Sequence, residues 1–354
     1  TESDISALVQ STIPEHQELP ADFPHLLFLE SEGLPFFVVE YLSSLQIESG
    51  IPPVVDLSIP DQVRDLIKNR LNRLDDTEWQ LITTAATIGR KFDFTILRGA
   101  SGRSEKETIS GLETLLQKGL LEEIDTRDEG AHLIFDFTHD KVRQVIYEEI
   151  SLVRRRLLHN RVAGSMEKLA RGSAERAIAA GQIARHYHLA GSEKNAAEYF
   201  FLAGEHAGGL YANAQAMVYY QSALALNHPQ PSILYEKIAH LQTLQGDYPN
   251  ALTNYDSAIA FAEAERIPLL EHKTGELYCR MGNSELAICY FQSAEQGLID
   301  LNIRETLAEI YADWSRAEYY LGNSSTADVL AGKSLTLARE QDDQRSQALA
   351  LNAL

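Results

Sequence analysis

Cysteine, methionine and tryptophan are scarce, at two, three and two among 354 residues. Two thiols, Cys279 and Cys289, exclude the disulfide framework of a small secreted domain. Both fall on predicted helices and read as reduced core thiols. Lysine and arginine are absent from residues 1–60, which carry ten acidic side chains. No apolar run approaches the roughly 20 residues of a membrane helix. The acidic opening Thr1-Glu2-Ser3-Asp4 lacks the apolar stretch of a signal peptide. A cytoplasmic protein with no membrane partner is expected. The opening without methionine reads as a piece of a longer protein.

The chemistry of an independent enzyme is also missing. There is no complete phosphate loop of the form G-x-x-x-x-G-K-[ST]. Gly332-Lys333-Ser334 imitates its end, but Ala327 stands where the leading glycine belongs. The triplet also lies in a helical stretch, whereas a phosphate cradle needs a glycine-rich turn between strand and helix. His186-Tyr187-His188 places two imidazoles two residues apart, on different faces of a helix. No cysteine or acidic cluster completes a metal set there. Glu122-Glu123 sits on a predicted strand, so its carboxylates face opposite ways. No catalytic residue, no metal site and no cofactor are expected in this chain.

What is present is acidity and apolar pattern. The formal charge is −20 and 44% of residues are hydrophobic, enough for substantial cores. Residues 61–170 are nearly balanced, with 19 acids and 18 bases; residues 171–354 hold 22 acids and 13 bases. Such a surface repels a phosphate backbone, so direct nucleic-acid binding is not expected.

The chain divides by pattern. Residues 1–50 read as loop, then an apolar helix over Pro24–Glu30, then Gly33-Leu34-Pro35-Phe36-Phe37 and a helix through Leu45. Pro52-Pro53 marks an extended linker. Residues 51–150 form a compact unit. A helix opens at Ile59-Pro60-Asp61, with Val63, Leu66, Ile67, Leu71 and Leu74 at helical spacing. Thr77–Ile88 and Phe94–Ala100 are the next two. Ser104 and Glu107 form a capping box that starts a helix bearing Ile109, Leu112, Leu115 and Leu116, stopped at Gly119. Leu120–Ile124 and Leu133–Phe137 form a hairpin about the charged turn Asp125–Gly130, and a helix runs from Asp140 to Ile150. Helices followed by a hairpin give the layout of a winged helix. The helix that would enter a DNA groove carries Glu105, Lys106, Glu107, Glu113 and Lys118. It lacks the cationic and amide side chains of a base reader.

Residues 151–172 read as a connecting helix with Arg154-Arg155-Arg156, Leu157, Leu158 and Val162. Residues 173–354 then repeat. Ala216, Tyr220 and Ala223 match Ala251, Tyr255 and Ala258, and again Ala287, Phe291 and Ala294. Ala327, Ala331 and Ser334 are a weaker copy. The spacings are 35, 36 and 40 residues. Each copy lies on a second helix. The helix before it carries an aromatic and a small residue: Phe200 with Gly204, Tyr235 with Ala239, Tyr311 with Ser315. The third copy has Gly275 alone, since Glu271 takes the aromatic place. Small residues let paired helices approach and aromatics fill the gap, the tetratricopeptide pattern. Ala196, Phe200 and Ala203 also fit a second helix behind Ile183, Ala184 and Tyr187, so an atypical first turn is expected. The fold class is therefore mostly α: a winged helix with a small hairpin, then a tetratricopeptide-type solenoid.

Four stretches, in order, resemble the middle and C-terminal parts of STAND-class signalling ATPases. Glu32-Gly33-Leu34-Pro35-Phe36-Phe37 is similar to the G-x-P element that ends the family's ATPase lid. Ile59-Pro60 with Val63-Arg64 through Arg70-Leu71 and Leu74 resembles the opening of its winged helix. Ala85-Ala86-Thr87-Ile88-Gly89-Arg90-Lys91-Phe92 resembles its A-A-x-x-G-x-x-F turn. Phe137-Thr138-His139-Asp140 resembles its M-H-D sensor, with Thr138 in place of Met.

The resemblance implies that residues 1–50 end an ATPase lid and that an upstream nucleotide-binding domain holds ATP or ADP with Mg. It implies that His139 donates to the ADP β-phosphate, Asp140 orients the loop, and Pro35 packs on the adenine. Against this stand plainer roles, Pro35 as the first residue of a helix and Asp140 as an ordinary N-cap. The resemblance further implies that the repeats bind an inducer or a protein or peptide partner and pass the signal to an effector, most readily a transcription-factor domain. Two other functions fit the same sequence: a stand-alone repeat adaptor, or a DNA-binding winged-helix regulator.

Overall fold

The structure, a computed structural model, describes residues 2–12, 22–31, 33–35, 37–39, 41–42, 59–124 and 133–353. The expected Pro52-Pro53 linker, the Asp125–Gly130 turn, Glu32, Phe36 and the stretch to Leu45 lie outside them. The chain forms two compact units. One is Thr1–Arg171 with Leu189–Gly191; the other is Gly172–His188 with Ser192–Leu354.

The first unit opens with α1 (Glu2–Thr12) and α2 (Phe23–Ser31). The loop expected ahead of Pro24 is thus partly a helix. Its apolar anchors are few: Ile5 and Val9, one turn apart, are buried in one core with Phe23 and Leu27. Two anchors in eleven residues leave little periodic signal, and a neighbouring helix supplies the rest. Residues 37–39, 41 and 42 are helical, and Val38, Tyr41 and Leu42 join that core.

Then come α3 (Asp61–Leu71), α4 (Asp76–Ile88), β1 (Lys91–Asp93), α5 (Phe94–Ser101), α6 (Glu105–Gln117), β2 (Leu121–Ile124), β3 (Ile134–Phe137), α7 (Asp140–Glu149) and α8 (Leu152–Leu169). Caps set several boundaries. Asp75 accepts from Thr77 N and Glu78 N while Glu78 reaches back to Asp75 N, a capping box ahead of α4. The Ser104–Glu107 box opens α6 as its sequence implies. Asp93 accepts from Thr95 N and Ile96 N and opens α5.

The expected hairpin is two-thirds of a sheet. β2 and β3 pair antiparallel, Leu121 opposite Phe137, and β1 adds a third strand on the other side of β3. Three residues are too few to show alternation, so β1 carries no pattern of its own. It is held by Phe92, whose ring stacks on Phe135 at 5.8 Å and lies 6.0 Å from Phe137. Leu66 and Ile109, which lie at helical spacing with the buried positions, are exposed, as is Leu157 of the expected connecting helix. Each sits beside residues that do reach the core, Val63 and Ile67, Leu112 and Leu115, Leu158 and Val162. A helix in this unit buries a narrower stripe than its apolar residues suggest.

The second unit is a run of antiparallel helix pairs. After α9 (Ser173–Ala190) come α10 (Glu193–Gly209) with α11 (Asn213–Ala225), α12 (Pro231–Gln245) with α13 (Tyr248–Ala260), α14 (Ile267–Arg280) with α15 (Ser284–Asp300), and α16 (Leu307–Tyr320) with α17 (Ser324–Glu340). α18 (Gln344–Ala353) closes it. Each pair packs internally and on the next. The repeats are of tetratricopeptide type, and the reason is visible at their contacts. Ala216, Ala223, Ala251, Ala258, Ala287 and Ala294 are fully enclosed. A Cβ on Gly204 would lie 2.5 Å from the Tyr220 ring, and one on Gly275 2.5 Å from the Phe291 ring. The fourth repeat uses hydroxyls: Ser315 Oγ donates to Ala327 O at 2.8 Å and Ser334 Oγ to Ala308 O at 2.6 Å.

First helices end in left-handed glycines, Gly246, Gly282 and Gly322, but in Tyr211 at the α10–α11 turn. Tyr235 is half-buried and stacks on Phe261 at 5.8 Å. Ile183, Ala184 and Tyr187 are buried ahead of the first pair, and Tyr187 stacks on Tyr199 of α10 at 5.8 Å. Cys279 is half-buried and Cys289 is exposed, so only the first suits a core thiol; both are free. Among the described residues no helix is long and apolar enough to cross a membrane.

Candidate functional site

The first candidate is the turn between β3 and α7. Thr138 ties it to the start of β2: its N–H donates to Leu120 O at 3.2 Å, and its Oγ1 lies 3.1 Å from Gly119 O. His139 follows in extended backbone and is the N-cap of α7, with no side-chain capping bond. Asp140 is therefore the first helical residue and not the N-cap expected as its plainer role. Its carboxylate accepts from Arg143 Nε at 2.7 Å, one turn on. Both His139 and Asp140 are half-buried.

The His139 ring meets Phe37 edge-on, with centroids 6.3 Å apart. Phe37 is buried and lies two residues after Pro35, which is exposed. The fold thus brings Phe37, just after the Gly33-Leu34-Pro35 segment, onto the His139 turn across about a hundred residues of chain. Sequence spacing carries no signal for that meeting. Asp136, just before the turn, is buried and lies 3.4 Å from Arg90 Nε.

The second candidate is the polar face of the repeats' first helices. Glu205 of α10 accepts from Tyr220 Oη at 2.6 Å and pairs with Lys237 of α12 at 2.9 Å. Burial, reinforced by Glu205, pushes the Tyr220 phenol well above its ordinary range. His272 of α14 lies 2.8 Å from Asp313 Oδ2 of α16, and both are buried. A carboxylate only accepts, so His272 Nε2 carries the proton. Arg316 holds the other Asp313 oxygen. Burial, then Asp313, pushes the Cys279 thiol up to about 11, which makes it an inert thiol at neutral pH.

Glu276 lies close enough to His272 and Asp313 for the three to hold a metal ion. The surroundings argue against it. Lys273 pairs with Glu276 at 2.9 Å and Arg316 with Asp313, so two fixed cations already occupy the acids.

His240 of α12 is exposed at its edge. Partial desolvation, then Lys273, Arg280 and Lys237, hold its imidazole below the ordinary range against the pull of Glu276. These polar residues were not singled out in the sequence. A faint signal exists: Lys237 and Lys273 are one repeat apart, 36 residues, the same as Ala251 and Ala287.

Gly332-Lys333-Ser334 lies inside α17. Ser334 is buried on Ala308 O, and the Lys333 ammonium sits 5.2 Å over the Tyr311 ring. His186 is buried and His188 exposed, on different faces of α9.

No family model and no curated protein matches the chain. Solved structures similar to it include a signal transduction ATPase with numerous domains and a tetratricopeptide repeat sensor from Pyrococcus horikoshii. It is 18% identical over 99% of this chain, with a TM-score of 0.47, and the chain spans 49% of its length. Aspartyl phosphate phosphatase F from Bacillus subtilis is 17% identical over 83% of this chain and 73% of its own, with a TM-score of 0.45. YrrB, a tetratricopeptide repeat protein with an unusual peptide-binding site, is 16% identical over 55% and 90%, with a TM-score of 0.42. These likenesses concern architecture alone.

Proposed function

We propose that this chain is the relay and sensing part of a STAND-type signalling ATPase, most readily one that drives a transcriptional regulator. The contact between Phe37 and His139 carries the reading. Phe37, two residues beyond Gly33-Leu34-Pro35, meets His139 although the two lie far apart in sequence, as the resemblance to one nucleotide switch would require. The order helix, strand, helix, helix, hairpin over α4 to β3 supports a winged helix as their carrier.

The chain's own residues would supply a donor and a packing surface. The His139 imidazole can donate to a phosphate oxygen, the Asp140–Arg143 pair steadies the first turn of α7, and Pro35 is exposed enough to meet a base. The phosphate cradle and Mg ligands would come from an upstream domain. On this reading the repeats bind a protein or peptide partner. Binding shifts the switch between closed ADP and open ATP states, in proportion to its differential affinity for the two.

Two measurements test this. The gene upstream should encode a G-x-x-x-x-G-K-[ST] loop within about 200–300 residues, roughly one domain; a reading frame without one removes the proposal. In the intact protein, His139→Ala should raise inducer-free output and speed ADP release. A charge-assisted bond of about 1.5–3 kcal/mol is enough to move the open fraction roughly tenfold or more. Wild-type values for both would make His139 a packing residue.

A further inference from the structure

The helix α8 is anchored along one side only. It packs on α4 and α5, with Leu158, Val162 and Met166 buried. Ser165 Oγ donates to Ile96 O at 3.2 Å, and Tyr147 Oη lies 2.9 Å from His159 Nε2. The Arg155 guanidinium sits 4.6 Å over the Tyr147 ring. These contacts fix the rotation of the helix about its axis, so its opposite side is set as well.

At about 100° per residue, Val153, Leu157, Asn160 and Gly164 fall on one line along that opposite side. They are four, three and four residues apart, the spacing by which one helix seats on another. Val153 is 81% exposed and Leu157 48%. Glycine is a poor helix residue, and a Cβ on Gly164 would meet nothing within 4 Å. Rings packed against Gly204 and Gly275 explain those two glycines; Gly164 has no such neighbour in this chain. A second helix laid along the line would approach the backbone there. Half-buried Glu167 closes the line one turn on.

The edges of the line are cationic. Arg154, Arg161 and Lys168 recur every seven residues along one edge, and Arg156 stands on the other. All four are exposed, and among the described residues none has a hydrogen-bond or ion-pair partner. These are the flanking positions from which one helix of a packed pair reaches the charges of the other.

We propose that the outer side of α8 docks an acidic amphipathic helix of a partner protein. Its apolar side chains cover Val153 and Leu157 and settle over Gly164, and its carboxylates pair with Arg154, Arg161 and Lys168. The surface is separate from the repeats and does not depend on the nucleotide reading. A second copy of α8 fits poorly, because its own arginines would face these. An anionic bilayer or a phosphate backbone would meet the −20 of the whole chain over a wide area. A single helix feels mainly the charges within about 8 Å at physiological salt, and here those are cations.

The test uses the full chain and a labelled helical peptide with leucine along one side and glutamate on both flanks. The same peptide with lysine flanks, and one of scrambled order, are the references. The glutamate peptide should bind saturably, and about tenfold or more weakly to Arg154→Glu/Arg161→Glu/Lys168→Glu. Lys106→Glu/Arg185→Glu/Lys194→Glu makes the same change in net charge at other exposed positions and should bind near wild type. Gly164→Leu should weaken binding with the melting temperature unchanged or raised, since the position is open in the free chain. Thermal melts establish that every variant is folded.

The proposal is overturned if the glutamate peptide does not saturate, or if the lysine or scrambled peptide binds as well. It is overturned if neither the charge reversal nor Gly164→Leu weakens binding. Vesicles rich in phosphatidylserine that bind the chain through the same three cations more tightly than the peptide would make the face a membrane contact instead. Sedimentation showing a dimer that Leu157→Glu dissolves would give the face to a second copy.

Discussion

A Cβ on Gly275 would lie 2.5 Å from Cε1 of Phe291, inside the contact distance of any two carbons. The ring is fully enclosed and cannot swing away. Gly204 stands in the same relation to Tyr220, also at 2.5 Å. Glycine is normally a poor helix residue; here it lets two helices touch. Gly275→Ala and Gly204→Ala should each lower stability by about 1–3 kcal/mol through overpacking. Gly332, with nothing within 4 Å of its Cβ position, is the contrast. Gly332→Ala should raise stability by about 0.5–1 kcal/mol. Thermal melts of the three variants decide, and stabilisation by Gly275→Ala would refute the contact.

The buried His272–Asp313 pair joins two repeats and should behave as a coupled unit. Asp313→Ala strands the His272 N–H away from water, at about 1–3 kcal/mol. Arg316 is about half exposed and recovers its solvation. Removing both partners should cost less than the sum of the single changes, with a coupling of about 0.5–3 kcal/mol. Urea unfolding of the full cycle measures it. Additive single losses would mean that the two groups do not interact.

His228 gives a pH dependence with a definite sign. Its side chain is buried, its Nδ1 accepts from Gln230 N at 3.2 Å, and it packs on the Phe201 ring at 4.9 Å. Burial lowers its pKa, with Glu198 opposing. Below about 6.5, the ordinary histidine value, the unfolded chain binds the proton more readily than the folded one. The stability tied to neutral His228 is then full above that pH and is lost as pH falls through the folded pKa. Between pH 7.5 and 5.5 the melting temperature of His228→Asn should fall less steeply than that of wild type. Parallel curves would place no titration burden on this residue.

Tyr211 is 87% exposed and adopts φ +59°, where Gly246, Gly282 and Gly322 stand in the other repeats. A bulky residue in the left-handed region costs about 1–2 kcal/mol. Tyr211→Gly should therefore stabilise by about 0.5–1 kcal/mol after the added freedom of the unfolded glycine. Tyr211→Ala, which keeps the strain and loses little contact, should stay within about 0.5 kcal/mol of wild type. Equal melting temperatures for the alanine and glycine variants would show that the turn is unstrained.

What the sequence determined by itself was whatever depends on neighbours within one or two turns. Ser104 and Glu107 announce the start of α6 because both halves of the capping box lie three residues apart. The period of Ala216, Ala251 and Ala287 announces the repeats because each alanine answers a local need for close helix approach. Tertiary structure decided the rest. α1 and β1 are too short or too sparse to stand alone and form only against Phe23, Leu27 and Phe135. Leu66 and Ile109 match the helical period yet face outward, since the width of a buried stripe is set by what packs on it. The candidate sites are the clearest case. Phe37 meets His139 and His272 meets Asp313 across 102 and 41 residues, and no local pattern encodes a distance between side chains that only the closed fold brings together.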